Sequence, residues 1–140
     1  MSDKNLSGYF LDSNIWIYAL AKNQDEQKQA VAAQLIQTTS VVVSTQVINE
    51  VCINLIRKSD FTEEQVRDLI TAFYKGSRVI SFDMEILTQA SSLRERYALS
   101  FWDSLIVSSA LYAGLSTLYS EDMQNGLIVN EQLEIVNPFG

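Results

Sequence analysis

The chain has 140 residues, 47% hydrophobic and 19% charged, with five glycines and one proline; that is the size and composition of one compact domain rich in helix. Seventeen acidic against ten basic side chains give a formal net charge of −7, which argues against broad electrostatic coating of nucleic acid. The histidine count of zero excludes Ser-His-Asp and Cys-His catalysis, imidazole acid–base chemistry and histidine metal ligands.

The elements read in order from the hydrophobic period. Tyr9 to Leu11 is a short apolar strand that stops on Asp12. NIWIYALAK follows at helical spacing, then a second helix, DEQKQAVAAQLIQTT, with Ala30, Val31, Ala33, Leu35 and Ile36 on its apolar face. Val41 to Ser44 is a β-branched run, apolar on both faces, as a central parallel strand should be. TQVINEVCINLIRK is a helix with Val47, Val51, Ile53, Leu55 and Ile56 inward, and Thr62 with Gln65 forms a capping box opening EEQVRDLITAFYKG. RVISF is a third strand and Asp83 caps the helix after it. SFWDSLIVSSALYAGL is the most apolar helix, STLYS a fourth strand, and LEIVNP a possible fifth. Strands alternate with helices throughout, which implies an α/β domain with a mostly parallel sheet of four to five strands, covered on both faces.

The lone cysteine, Cys52, falls in the apolar phase of its helix and reads as a buried thiol in a reducing, cytoplasmic setting. MSDKNLSGYF lacks a secretory signal, and no run reaches the ~18–20 apolar residues of a membrane span, so no membrane association is expected.

In an open α/β sheet, ligands sit at the carboxyl ends of the strands. Asp12 ends the first strand, Glu121 and Asp122 follow the fourth, and Glu50 lies one turn into the helix after the second. Asp103 lies in the first turn of the apolar helix. Oxygen ligands without histidine or thiolate suit Mg²⁺ or Mn²⁺. Each residue also has a structural explanation. Asp12 or Ser13 can cap the first helix, Glu50 can be a solvated face residue, Ser100 and Asp103 match a capping box, and Asp122 suits a turn. The convergence of four on one edge favours a metal site, with Ser13 able to start the helix and leave Asp12 to the metal.

YFLDSNIWIYAL, STQVINEV, SFWDSLIVSSAL and LYSEDMQNG resemble, in order and spacing, the acidic motifs of the PIN-domain ribonucleases, in particular the VapC-type toxins of type II toxin–antitoxin pairs. The resemblance implies a single three-layer α/β/α domain over residues 1–140 and a metal-dependent endoribonuclease using Mg²⁺ or Mn²⁺. It implies a catalytic and metal-binding set of Asp12, Glu50, Asp103 and Asp122, with Ser13, Asn14, Ser120 and Glu121 in support and Asp122 preferred over Glu121. It also implies an RNA substrate, a cognate antitoxin and a homodimer. Arg57, Lys58, Arg94 and Arg96 are candidate phosphate contacts, with a solvated helix face the plainer account of each. Three rival readings are a non-catalytic binding module, a haloacid-dehalogenase-type phosphatase, which would need a second aspartate where Asn14 stands, and a receiver-like phosphoacceptor domain. The receiver-like domain wants an acidic pair after the first strand and a lysine after the last, where this chain has Asp-Ser-Asn and no lysine beyond Lys75.

Overall fold

The computed structural model describes residues 8–22 and 25–140. Six strands and six helices follow in the order β1 (Tyr9–Leu11), α1 (Ser13–Leu20), α2 (Glu26–Thr38), β2 (Val41–Ser44), α3 (Thr45–Ser59), α4 (Glu63–Gly76), β3 (Arg78–Ile80), α5 (Met84–Arg96), α6 (Phe101–Tyr112), β4 (Thr117–Tyr119), β5 (Ile128–Val129) and β6 (Leu133–Val136). The sheet order is β3-β2-β1-β4-β6-β5, parallel except for the β5–β6 pair. It is thus the mostly parallel α/β sheet expected, with β5 as a sixth strand beyond the four or five read from the sequence. β5 escaped notice because two residues carry no period. A turn with positive φ at Asn130 and Glu131 joins it to β6.

From β1 the chain steps outward to β2 and β3, then returns across the sheet to β4. Right-handed crossovers then put α1 to α4 on one face and α5 and α6 on the other, giving three layers. The direction of winding reverses between β1 and β4, whose carboxyl ends open the crevice where such sheets bind ligands.

Both faces of the central strands are buried, which is why they read as apolar runs without alternation. Phe10, Leu11, Val43, Leu118 and Ile135 are fully enclosed, and Ile15, Leu55, Ile86 and Ile106 meet them from the helices. Burying each such side chain is worth about 1.5–3 kcal/mol. Helix ends are as expected at Thr62–Gln65, whose capping box is complete, and at Asp83, which accepts from the N–H of Ile86 at 2.9 Å. Cys52 is buried and its thiol pKa is raised, first by burial and then by Glu63.

Two helix faces differ from expectation. On α3 the buried stripe is Ile48, Val51, Cys52 and Leu55, an i, i+3, i+4, i+7 set, while Ile53 is 47% and Ile56 37% exposed. The helix is apolar over more than one stripe, and only one can face the sheet. On α2 the buried residue is Ala32; Leu35 and Ile36 pack partly against the core, but Ala30 and Val31 are exposed. Among the described residues, no helix is long and apolar enough to cross a membrane.

Candidate active site

β1 delivers Asp12 to the crevice. The ladder continues one residue past the strand, the Asp12 N–H donating to the Tyr119 carbonyl at 3.0 Å, which fixes the side chain between β1 and the segment after β4. Asp12 is 4% exposed. Its Oδ1 accepts from the N–H of Ser13 at 2.7 Å, and its Oδ2 accepts from the Ser120 hydroxyl at 2.8 Å and the Asn14 amide at 3.4 Å. Asp12 is therefore itself the N-cap of α1, which corrects the expectation that Ser13 starts that helix alone. One carboxylate oxygen accepts from the helix end and the other from Ser120 and Asn14, because a two-oxygen side chain at a strand-to-helix junction can serve both.

Asn14 ties the two sides of the crevice together. Its amide donates to Asp122 Oδ2 at 3.2 Å as well as to Asp12, and its carbonyl accepts from the N–H of Glu121 at 3.1 Å. Ser120 is fully buried; besides donating to Asp12, it accepts from the N–H of Asp122 at 3.2 Å and of Met123 at 3.4 Å, shaping the turn after β4. Asp103 lies in the first turn of α6, where the Ser100 hydroxyl accepts from its N–H at 3.1 Å. Glu50 comes in from α3, with Oε2 accepting from the Gln46 amide at 3.0 Å.

The carboxylates bear on one another electrostatically. Burial raises Asp12 from 3.8 to about 6, against the lowering pull of its Ser120 and Ser13 bonds, and Glu50 and Asp103 push it up further. Asp103 is raised as well, by burial first, with Asp122 adding like-charge repulsion. Among the described residues, no basic side chain shifts either one. Carboxylates that repel one another have the donor chemistry of a hard divalent ion. The donor set fits a hard divalent cation, although among the described residues no three acidic side chains already converge into a coordination set.

Glu121 is differently occupied. It forms an ion pair with Lys28 of α2 and accepts from the Tyr18 hydroxyl at 2.8 Å, and these bonds lower its pKa, the Lys28 bond foremost. Glu121 thus clamps the turn to α1 and α2, while its neighbour Asp122 is bonded to Asn14. Arg94 is also engaged, donating to the Ser104 hydroxyl at 2.6 Å and lying 4.4 Å from the Phe101 ring, and Arg96 lies over Tyr97. Arg57 and Lys58 close the last turn of α3, about 20 Å along the helix from its start at the carboxyl edge. A groove of about 840 Å³ between Gly8, Ser40, Gly76 and Arg78 lies at the amino ends of β1 to β3, away from the carboxylates.

Two site residues escaped the sequence reading. Gln46 is one polar residue among apolar ones, and its only sequence signal is that it stands four before Glu50, a spacing that puts both on one helix face. Lys28 had no local signal, since its partner is 93 residues away.

A family model for the PIN domain matches residues 9–124. A comparison with curated proteins finds no match. Among solved structures, a chain of a toxin–antitoxin complex from Klebsiella pneumoniae is similar at TM-score 0.70 and 19% identity, covering 94% of this chain and 98% of that one. VapC20 of Mycobacterium tuberculosis, described as a toxin that cleaves the sarcin–ricin loop, is similar at TM-score 0.64 and 17% identity, covering 79% and 87%. VapBC2 of Rickettsia felis, solved bound to a DNA fragment from its promoter, is similar at TM-score 0.64 and 22% identity, covering 92% and 98%. At these identities the likeness speaks for the fold, and the family assignment rests on the match over residues 9–124, which spans all four carboxylates: this chain belongs to the PIN domain family.

Proposed function

We propose that the chain is a single-domain, VapC-type endoribonuclease that hydrolyses RNA phosphodiester bonds with Mg²⁺ or Mn²⁺, as the toxin of a toxin–antitoxin pair. The observation that carries this is the buried Asp12 at the switch point of a PIN sheet, linked through the Asn14 amide to Asp122 and pushed up in pKa by burial and by Glu50 and Asp103. The four carboxylates would hold the metal, which when bound would lower the pKa of an attacking water and offset charge growing on the phosphate oxygens.

The remaining roles belong to this chain's own groups. Ser120 and the Ser13 N–H hold Asp12 in one orientation, so its carboxylate needs no reorganisation. Asn14 sets the position of Asp122 relative to Asp12. Asp12 at the start of α1 and Asp103 in the first turn of α6 bring two helix N-termini to the site, whose partial positive charge favours a phosphate.

Glu121 is a brace for the turn in this reading and Asp122 the ligand. Glu121→Gln is then expected to leave cleavage within about threefold of wild type, since the Lys28 pair is partly exposed and screened by solvent. Asp122→Asn is expected to lower kcat/KM by about tenfold or more. Initial rates on one RNA substrate check both; the reverse ranking would reassign the ligand.

The toxin–antitoxin neighbours support a cognate antitoxin as partner, and the family resemblance supports a homodimer acting in the cytoplasm. The acidic balance suits a partner that inserts a basic side chain among the carboxylates.

A further inference from the structure

Beside the carboxylates lies an open groove of about 440 Å³ lined by Thr45, Gln46, Asn49, Glu50, Phe82 and Trp102. Trp102, adjacent in sequence to Asp103, is 59% exposed, an unusual position for an indole at the start of a helix whose later residues are almost wholly buried. At the inner wall, Gln46 is 9% exposed, and its Oε1 is buried with no hydrogen-bond partner. The amide cannot turn over to relieve this. Its nitrogen donates to Glu50 Oε2 at 3.0 Å and to the Trp102 carbonyl at 3.4 Å, both acceptors that would repel an oxygen. Gln46 is thereby fixed with an unsatisfied acceptor, which is unfavourable until a donor reaches it.

Resting on the nuclease reading above, we infer that this groove is a base-reading subsite that takes one unstacked nucleobase of the RNA, next to the scissile phosphate. The base stacks on Trp102 and donates an exocyclic amino hydrogen to Gln46 Oε1. An aromatic face beside a metal-binding edge is how single-stranded nucleic acid is gripped, and base edges are read by fixed side-chain polarity. The fixed polarity here is acceptor: Gln46 Oε1 and the Glu50 carboxylate. Adenine, cytosine and guanine present amino donors to it. Uracil presents its one N–H between two carbonyl oxygens, which would face those acceptors. The subsite therefore selects amino-bearing bases and rejects uracil. Gln46 acts as a specificity-determining residue and Trp102 as a stacking platform.

The test is cleavage-site mapping on a randomised single-stranded RNA pool with Mn²⁺, for wild type, Gln46→Leu and Trp102→Ala. Wild type should disfavour uracil by about tenfold at one position beside the cut, a ratio that Gln46→Leu abolishes. Trp102→Ala should lower kcat/KM about tenfold while retaining the base ranking; its exposure leaves the fold unthreatened if Gln46→Leu is unstable. A second readout is tryptophan fluorescence with Mg²⁺ and either adenosine or uridine monophosphate. Adenosine monophosphate should quench at lower concentration, and Trp102→Phe should remove the effect, because the other indole, Trp16, is buried. A profile with uracil equally accepted, or unchanged in both variants, overturns the subsite and leaves the nuclease standing. If folded wild type cuts nothing, the nuclease reading fails instead. The subsite is then overturned by quenching that does not distinguish the nucleotides, or that follows protein concentration as a second copy covering Trp102 would.

Discussion

Asp12→Asn is expected to lower RNA cleavage by at least about 100-fold and, at neutral pH without metal, to raise thermal stability. The two effects have one cause. Asp12 is held by burial, then by Glu50 and Asp103, at about 6 where an aspartate ordinarily titrates at 3.8. The folded state therefore binds this proton more tightly than the unfolded state. Its stabilising contribution is complete below the unfolded value and is lost as pH rises through about 6, so the ionised carboxylate weighs against the fold at neutral pH. The shift is worth on the order of 3 kcal/mol. An asparagine recovers part of it, about 1–2 kcal/mol, because its amide must still be accommodated by Ser120 and Asn14. Calorimetry in chelator should show the variant several degrees more stable at neutral pH and no more stable than wild type at a pH below the ordinary carboxylate range. Equal stability of the two proteins at neutral pH would deny that Asp12 carries an uncompensated charge.

Metal addition is the complementary experiment. A divalent cation that binds only the folded state at 100 times its dissociation constant adds about 2.7 kcal/mol, or roughly 5–10 °C in a chain of this length. Mn²⁺ or Mg²⁺ should raise the melting temperature of wild type by that order, and chelator should reverse it. Asp12→Asn and Asp103→Asn should lose most of the gain. The same titration separates a metal site from an inert binding module with an acidic edge, whose melting temperature would not respond. Because the cation replaces the proton as the neutraliser of Asp12, its stabilisation should weaken as pH falls through about 6.

Most of the framework was legible before any coordinates. The β-branched run Val41–Ser44, the Thr62–Gln65 box and the Asp83 cap are local signals with local causes, and each appears where the sequence put it. The parallel α/β order places Asp12 and Asp122 just past the carboxyl ends of β1 and β4, since strand direction decides which end of the sheet a directly following residue occupies. The division of labour at that edge was not legible. Whether Asp12 or Ser13 caps α1 depends on a ladder bond to Tyr119, more than 100 residues away in the chain. Glu121 and Asp122 look alike in sequence, and only the reach of Lys28 and Tyr18 from α1 and α2 tells them apart. Ile53 and Ile56 looked inward because periodicity identifies apolar stripes without saying which stripe meets the sheet. Gln46 shows the same limit: its orphaned oxygen exists only because Trp102 and Glu50 both claim its nitrogen.

The most direct test of the central claim is cleavage of a mixed pool of structured and single-stranded RNAs by the folded protein, with Mn²⁺ or Mg²⁺ and with chelator, for wild type beside Asp103→Asn. The account predicts discrete cuts by wild type with metal, none in chelator and none above background from the variant. Cuts that persist in chelator or in Asp103→Asn, or a folded wild type that cuts nothing in the pool, would contradict it.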